Sequence, residues 1–278
     1  MQRFVTAVVA IGVVLSILWR APFWGVWGLT AILASIGWWE ILRLSPSRLP
    51  HRWYWGGIVL IGGVWIWLRH PEDFVWWRWA VVVWGLWLIQ MLGWWRWDSG
   101  DTRDVVLRLS WITFGWHYVV LGFLIVWYIW AEGWRRVEPR WWYHPLIGLL
   151  LMIWVSDSLA YYIGRWQGRV RLAPAVSPNK TVEGWMAGLA GAASMAWVWG
   201  QWWSRAGPTS QWWHWLILGA IVGTIGPVGD LLESSLKRRA GVKDSGNVFP
   251  GHGGVLDRFD SLLISVPFYY LYWKWWIA

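Results

Sequence analysis

QWWHWLILGAIVGTIGPVGDLLESSLKRR, residues 211–239, decides what kind of fold this chain can adopt. It runs apolar from Gln211 to about Leu236 and ends on Lys237-Arg238-Arg239. A helix needs roughly 20 mostly apolar residues to cross the hydrocarbon of a bilayer. A basic cluster straight after such a run reads as its stop at the membrane boundary. The run also holds Asp230, and a carboxylate inside a spanning segment usually marks a site or a paired internal contact.

Similar runs recur along the chain. They cover about 4–19, 22–39, 53–68, 75–95, 105–130, 142–163, 182–203 and 260–277, which with 211–236 makes nine. The longest polar stretch between them, 237–258, is too short for a soluble domain. The expected fold is all-α, a polytopic integral membrane protein of about nine transmembrane helices. It forms a single membrane domain over 1–278, with N-terminal helices in 1–140 and catalytic helices and loops in 141–278. The run after Met1-Gln2-Arg3 lacks a small-x-small cleavage site and reads as a retained first helix.

Composition agrees. Of the 278 residues 57% are hydrophobic and only 14% charged, well below the ~25% of soluble domains. No cysteine is present, which excludes thiol catalysis, disulfides and Cys-ligated metals. A net charge of +9 would suggest nucleic acid in a soluble chain. Here basic loops that set topology and face anionic lipid account for it, and no nucleic-acid partner is expected. Tryptophan is extreme, 37 residues, and pairs such as Trp76-Trp77 and Trp94-Trp95 near segment ends read as lipid-interface anchors. Fourteen Lys and Arg follow the even-numbered segments and six follow the odd ones, which places the even loops, and the N-terminus, in the cytoplasm.

Polar residues concentrate in two clusters on that face. In the first, Asp157 lies within an apolar segment and shares a helix face with Tyr161, four residues on. Ser177-Pro178-Asn179-Lys180-Thr181 then reads as a turn bringing a cation and hydroxyls to a helix start, a phosphate-binding arrangement. Glu183 falls in that helix's first turn, where a carboxylate suits the dipole. In the second cluster, Asp230 and Ser234 share one helix face, and Asp257 and Asp260 share another. Carboxylates from two helices make an oxygen-only site, preferred by hard divalent cations and by Mg²⁺ above all when phosphates complete the shell. Lys237, Arg238, Arg239 and Lys243 beside it supply what a triphosphate needs. Pro250-Gly251-His252-Gly253-Gly254 lets backbone amides approach phosphate closely.

The stretch Ser234–Asp260 resembles the signature of the phosphatidate cytidylyltransferases, or CDP-diacylglycerol synthases. Every element is present: Ser234, Lys237, Arg238, Lys243, Asp244, Pro250, His252, Gly253, Gly254, Asp257, Arg258 and Asp260. The upstream Asp157-Ser158, Tyr161, Gly164 and Ser177–Gly184 are similar to that family too. The resemblance implies that CTP and phosphatidic acid give CDP-diacylglycerol and pyrophosphate. It implies Mg²⁺ with a second, monovalent cation such as K⁺, a homodimer, and a polar cavity open to the cytoplasm and inner leaflet. A bacterial inner membrane is the expected location.

It assigns metal binding to Asp230 and Asp257 with Ser234 nearby. Lys237, Arg238 and Lys243 would neutralise the β,γ-phosphates, with Asp244 alongside them in the signature. Asp260 would hold a second cation or orient Arg258, and His252 would position substrate by hydrogen bonding. Substrate binding falls to Asp157, Tyr161, Ser177, Asn179, Lys180, Thr181, Glu183, Gly253 and Gly254. Lys180 and Ser177 would take either the lipid phosphate or the nucleotide. A CTP-dependent polyprenol kinase is the nearest alternative, separated by its phospho-lipid product. An ion-coupled transporter using Asp157 and Asp230 would need inverted repeats, and none is visible.

Overall fold

The computed structural model describes residues 23–47, 49–67, 102–137, 144–203, 211–249, 251 and 253–277. They are predominantly helical. In order come α1 (Phe23–Arg43), α2 (His51–Trp67), α3 (Thr102–Gly115), a π-helical turn (Trp116–Leu121) and α4 (Gly122–Val137). Next are α5 (Pro145–Gln167), β1 (Arg171–Ala173), β2 (Ser177–Thr181), α6 (Val182–Trp203), α7 (Trp212–Arg239) and α8 (Leu256–Trp276).

Among the described residues, four helices are long and apolar enough to cross a membrane: Trp24–Arg43, Asp104–Gly133, Pro145–Gln167 and Trp212–Arg239. Of the other expected spans, 4–19 and 75–95 lie outside the described residues. Helix α2 has 17 residues and falls short. Helix α6 coincides with the expected 182–203 but is diluted by glycine, and α8 carries Asp257, Arg258, Asp260 and Lys274.

The chain divides into two compact units, Met1–Tyr128 with Arg239–Leu256, and Ile129–Arg238 with Asp257–Ala278. In the first, α1 packs on α2, α3 and the π-helical turn. Tryptophan N–H groups tie these helices together. Trp27 Nε1 donates to the Trp65 carbonyl at 3.1 Å, Trp65 Nε1 to Thr30 Oγ1 at 3.3 Å and Trp111 Nε1 to the Ile41 carbonyl at 2.7 Å. Trp38 lies against Trp116 with centroids 5.5 Å apart.

In the second unit α5 and α6 are the most closely packed pair. Small residues let two apolar helices approach until backbones touch. A Cβ at Gly184 would stand 2.6 Å from the Ala160 carbonyl oxygen. Trp199, Trp203, Trp215 and Trp273 are fully buried here, as Trp38 and Trp65 are in the first unit. Among the described residues some of the tryptophan is therefore core material, a use that interface anchoring does not cover, while others such as Trp166 and Trp275 are exposed. Trp76, Trp77, Trp94 and Trp95 lie outside the described residues.

Candidate active site

Helix α7 supplies the floor of the site. Pro227 lies within it, and Gly229 follows on the face turned to α8. A Cβ at Gly229 would come within 2.6 Å of the Asp260 carbonyl oxygen. The missing side chain thus lets α7 lie against the α8 backbone where each helix carries its acids. One carboxylate oxygen from each of Asp230, Glu233 and Asp260 falls within 4.8 Å of the others. Three carboxylates this close repel one another unless a cation lies between them or one of them holds a proton.

Two lysines reach the cluster. Lys180, from strand β2, places Nζ 2.5 Å from Asp230 Oδ2. Lys237, one turn beyond Glu233 on α7, is 2.9 Å from Glu233 Oε2 and 2.5 Å from Asp257 Oδ1. Ser234 Oγ donates to Asp230 Oδ1 at 3.2 Å, as their four-residue spacing requires. Asp157 lies in the field of Asp230 and Lys180, and Asp260 in that of Asp230, Asp157 and Lys180. Five carboxylates therefore share the site with two ammonium groups. Glu233 is 1% exposed, and its Oε1 is buried without a hydrogen-bond partner. Buried acceptors left unpaired are rare. This one, among clustered carboxylates, offers oxygen donors of the kind a hard divalent cation prefers.

The hairpin that delivers Lys180 was expected to be a turn. It is instead an antiparallel pair, with Arg171 opposite Thr181 and Ala173 opposite Ser177. Pro178 has no amide hydrogen, but on a two-stranded hairpin one side of each strand is unpaired, so it is tolerated. Thr181, in the N-cap role for α6, accepts from Gly184 N at 3.1 Å through Oγ1. Glu183 accepts from Val170 N at 3.2 Å, fastening the helix start to the hairpin. Neither side chain points to the acids; both hold the hairpin that does. Ser177 is half-buried and Asn179 exposed on β2. Tyr161 is exposed and accepts from Arg165 Nη1 at 3.0 Å.

The remaining signature residues divide between the units. Arg238 is exposed at the end of α7, and Arg258 is exposed in the first turn of α8. Lys243 and Asp244 are exposed on the connection within the first unit. There Phe249 N donates to the Gly253 carbonyl at 2.9 Å, closing a tight loop. Gly253 has φ +82°, a left-handed conformation natural to glycine. Gly254 is buried. His252 and Pro250 lie outside the described residues.

The acids that converge are Asp230, Glu233 and Asp260. Of the expected metal set, Asp230 and its neighbour Ser234 lie here, and Asp257 pairs with Lys237, which also holds Glu233. The signal for Glu233 was present, since it lies three residues after Asp230 and four before Lys237, on the same helix face.

Comparison with known proteins places the chain among cytidylyltransferases. A 153-residue stretch is 43% identical to a phosphatidate cytidylyltransferase of Synechocystis sp., covering 51% of this chain and 48% of that protein. Proteins of the same name from Staphylococcus saprophyticus and Bacillus subtilis are 39% identical over 150 residues and 44% over 120. Those matches cover 54% and 43% of this chain, and 53% and 44% of the relatives. The chain spans about half the length of the curated relatives it matches. The profile of the cytidylyltransferase family matches residues 1–276, and the chain belongs to that family.

Proposed function

We propose that this chain transfers the cytidylyl group of CTP to phosphatidic acid, releasing pyrophosphate and forming CDP-diacylglycerol in the membrane. The observation that carries this reading is the cluster of Asp230, Glu233 and Asp260 with Lys180 and Lys237 beside it. The names of the curated relatives support it.

A phosphate oxygen of the lipid attacks the α-phosphorus of CTP. The new P–O bond forms as the bond to the β-phosphate oxygen breaks, and the electron pair leaves on pyrophosphate. The nucleophile is already anionic, so no strong base is needed. The obstacle is bringing two polyanions together. Asp230, Glu233 and Asp260 would hold Mg²⁺, which when bound would offset phosphate charge and stabilise the leaving group. Lys180 stands where it would bind a phosphate once released from Asp230. Lys237 keeps Glu233 and Asp257 in place from within the protein. Arg238 and Arg258, both exposed, are available to the β,γ-phosphates; a like role for Lys243 rests on the family resemblance.

The reading extends to a single polytopic domain of about nine spans, a homodimer, and a bacterial inner membrane with the site facing the cytoplasm. A monovalent cation such as K⁺ beside Mg²⁺ rests on the family resemblance. The test is turnover by purified protein in liposomes containing phosphatidic acid, with Mg²⁺ and α-labelled CTP. Label is expected in an organic-soluble CDP-lipid with equimolar pyrophosphate, and Asp230→Asn should abolish it. Folded protein that leaves all label in water-soluble nucleotide would overturn the reading.

A further inference from the structure

Helix α8 begins at Leu256 without a capping side chain of its own. The preceding residues are Gly253, Gly254 and Val255, none with an oxygen to receive the first amides, where Ser, Thr, Asp or Asn is usual. The acceptor comes from α1. Glu40 is 3% exposed. Its Oε1 accepts from Val255 N at 2.9 Å, and its Oε2 from Leu256 N at 2.9 Å and from Ser245 Oγ at 2.9 Å. One carboxylate therefore grips both ends of the connection from Ser245 to Leu256. Two glycines make room for it, since a Cβ at either Gly246 or Gly254 would collide with Glu40 Oε1.

We propose that Glu40 is a positioning residue for the transfer reaction, stapling the glycine-rich signature loop closed and fixing where α8 starts. The starting point matters because Asp257 is the next residue and Asp260 lies one turn on. A helix that frayed or began a residue later would carry its acids at a different angle. The proposal rests on the transferase reading above.

The geometry supplies a sharp test. The two backbone donors fall on different oxygens of Glu40. A glutamine there has one acceptor oxygen, so in either flip its NH₂ group faces a backbone N–H. Packing alone would tolerate this near-isosteric change; the staple would not.

The experiment uses the full chain in detergent and in phosphatidic-acid liposomes, reading amide exchange at 245–260 and steady-state kinetics. Glu40→Gln is expected to speed exchange at Val255 and Leu256 about ten- to hundredfold, the scale of an unsatisfied buried donor. It should lower kcat while the KM for phosphatidic acid stays within about twofold, as expected when positioning rather than lipid binding is lost. Exchange and kcat both unchanged would overturn the proposal. So would a change in either one without the other.

Gly254→Ala, which pushes the carboxylate away while leaving it present, should give the same pattern. It decides the matter if the glutamine variant does not fold. If the wild-type protein transfers no cytidylyl group, the functional reading falls, and the exchange comparison alone decides whether the staple exists.

Discussion

Lys237 bridges two carboxylates that are almost wholly withdrawn from solvent, Glu233 and Asp257, with side chains 1% and 4% exposed. Removing one partner of a buried ion pair strands the rest, typically at about 3–5 kcal/mol. Lys237→Met should therefore lower the thermal midpoint in detergent substantially, whereas Arg238→Met, at an exposed position, should leave it nearly unchanged. Among the described residues Asp260 has no such bridge, and it lies with Asp230 and Glu233. Asp260→Asn should keep the fold and reduce turnover about 10²–10³-fold, the scale of a lost electrostatic contact at a reacting phosphate. Titrating Mg²⁺ should show a weaker apparent affinity in that variant. An unchanged Mg²⁺ dependence would remove Asp260 from the cation site.

At the scale of elements, the site depends on how closely α7 meets α8. Gly229 sets that distance because its missing Cβ would otherwise abut the Asp260 carbonyl. Gly229→Ala inserts a methyl where backbone stands, an overpacking that typically costs about 1–3 kcal/mol. Activity should fall further than stability, because the displaced segment carries Asp260 itself; activity and thermal midpoint measured on one preparation would separate the two. The hairpin is held more modestly. Thr181→Ala removes a helix cap worth about 1 kcal/mol and should loosen the strand that presents Lys180, raising the KM for substrate phosphate before it unfolds anything.

The helical pattern and the pairing of Asp230 with Ser234 were legible because both depend on local periodicity. The β1–β2 hairpin was not, since Ser177-Pro178-Asn179-Lys180-Thr181 has turn-like composition and becomes a strand only by pairing with Arg171–Ala173. Nor was Glu40 visible as a partner of Val255 and Leu256, because no spacing rule links residues 215 apart. The convergence of Asp230, Glu233 and Asp260 was only half visible: Asp230 and Glu233 are linked by spacing, but Asp260 joins them, and Lys237 spans Glu233 and Asp257, only through the way α7 and α8 meet.

For the molecule as a whole, orientation in the bilayer is the statement most open to direct measurement. The chain contains no cysteine, so a single introduced thiol reports on one position without background. Val170 follows α5 and Arg238 ends α7, and both are exposed. With α6 and α7 between them, Val170→Cys and Arg238→Cys should both react with an impermeant maleimide from the cytoplasmic side of oriented vesicles. Labelling from opposite sides would mean that one of the two intervening helices does not cross.

The clasp made by Glu40 also bears on how the protein is made. Its carboxylate lies in a helix apolar enough to enter a membrane, yet its backbone donors lie at residues 255 and 256. For most of synthesis that acid has none of the partners it will finally hold, a costly condition within lipid. A chain terminated before Ser245 would retain it permanently. A product truncated before Ser245 should therefore insert less stably than one that reaches Leu256.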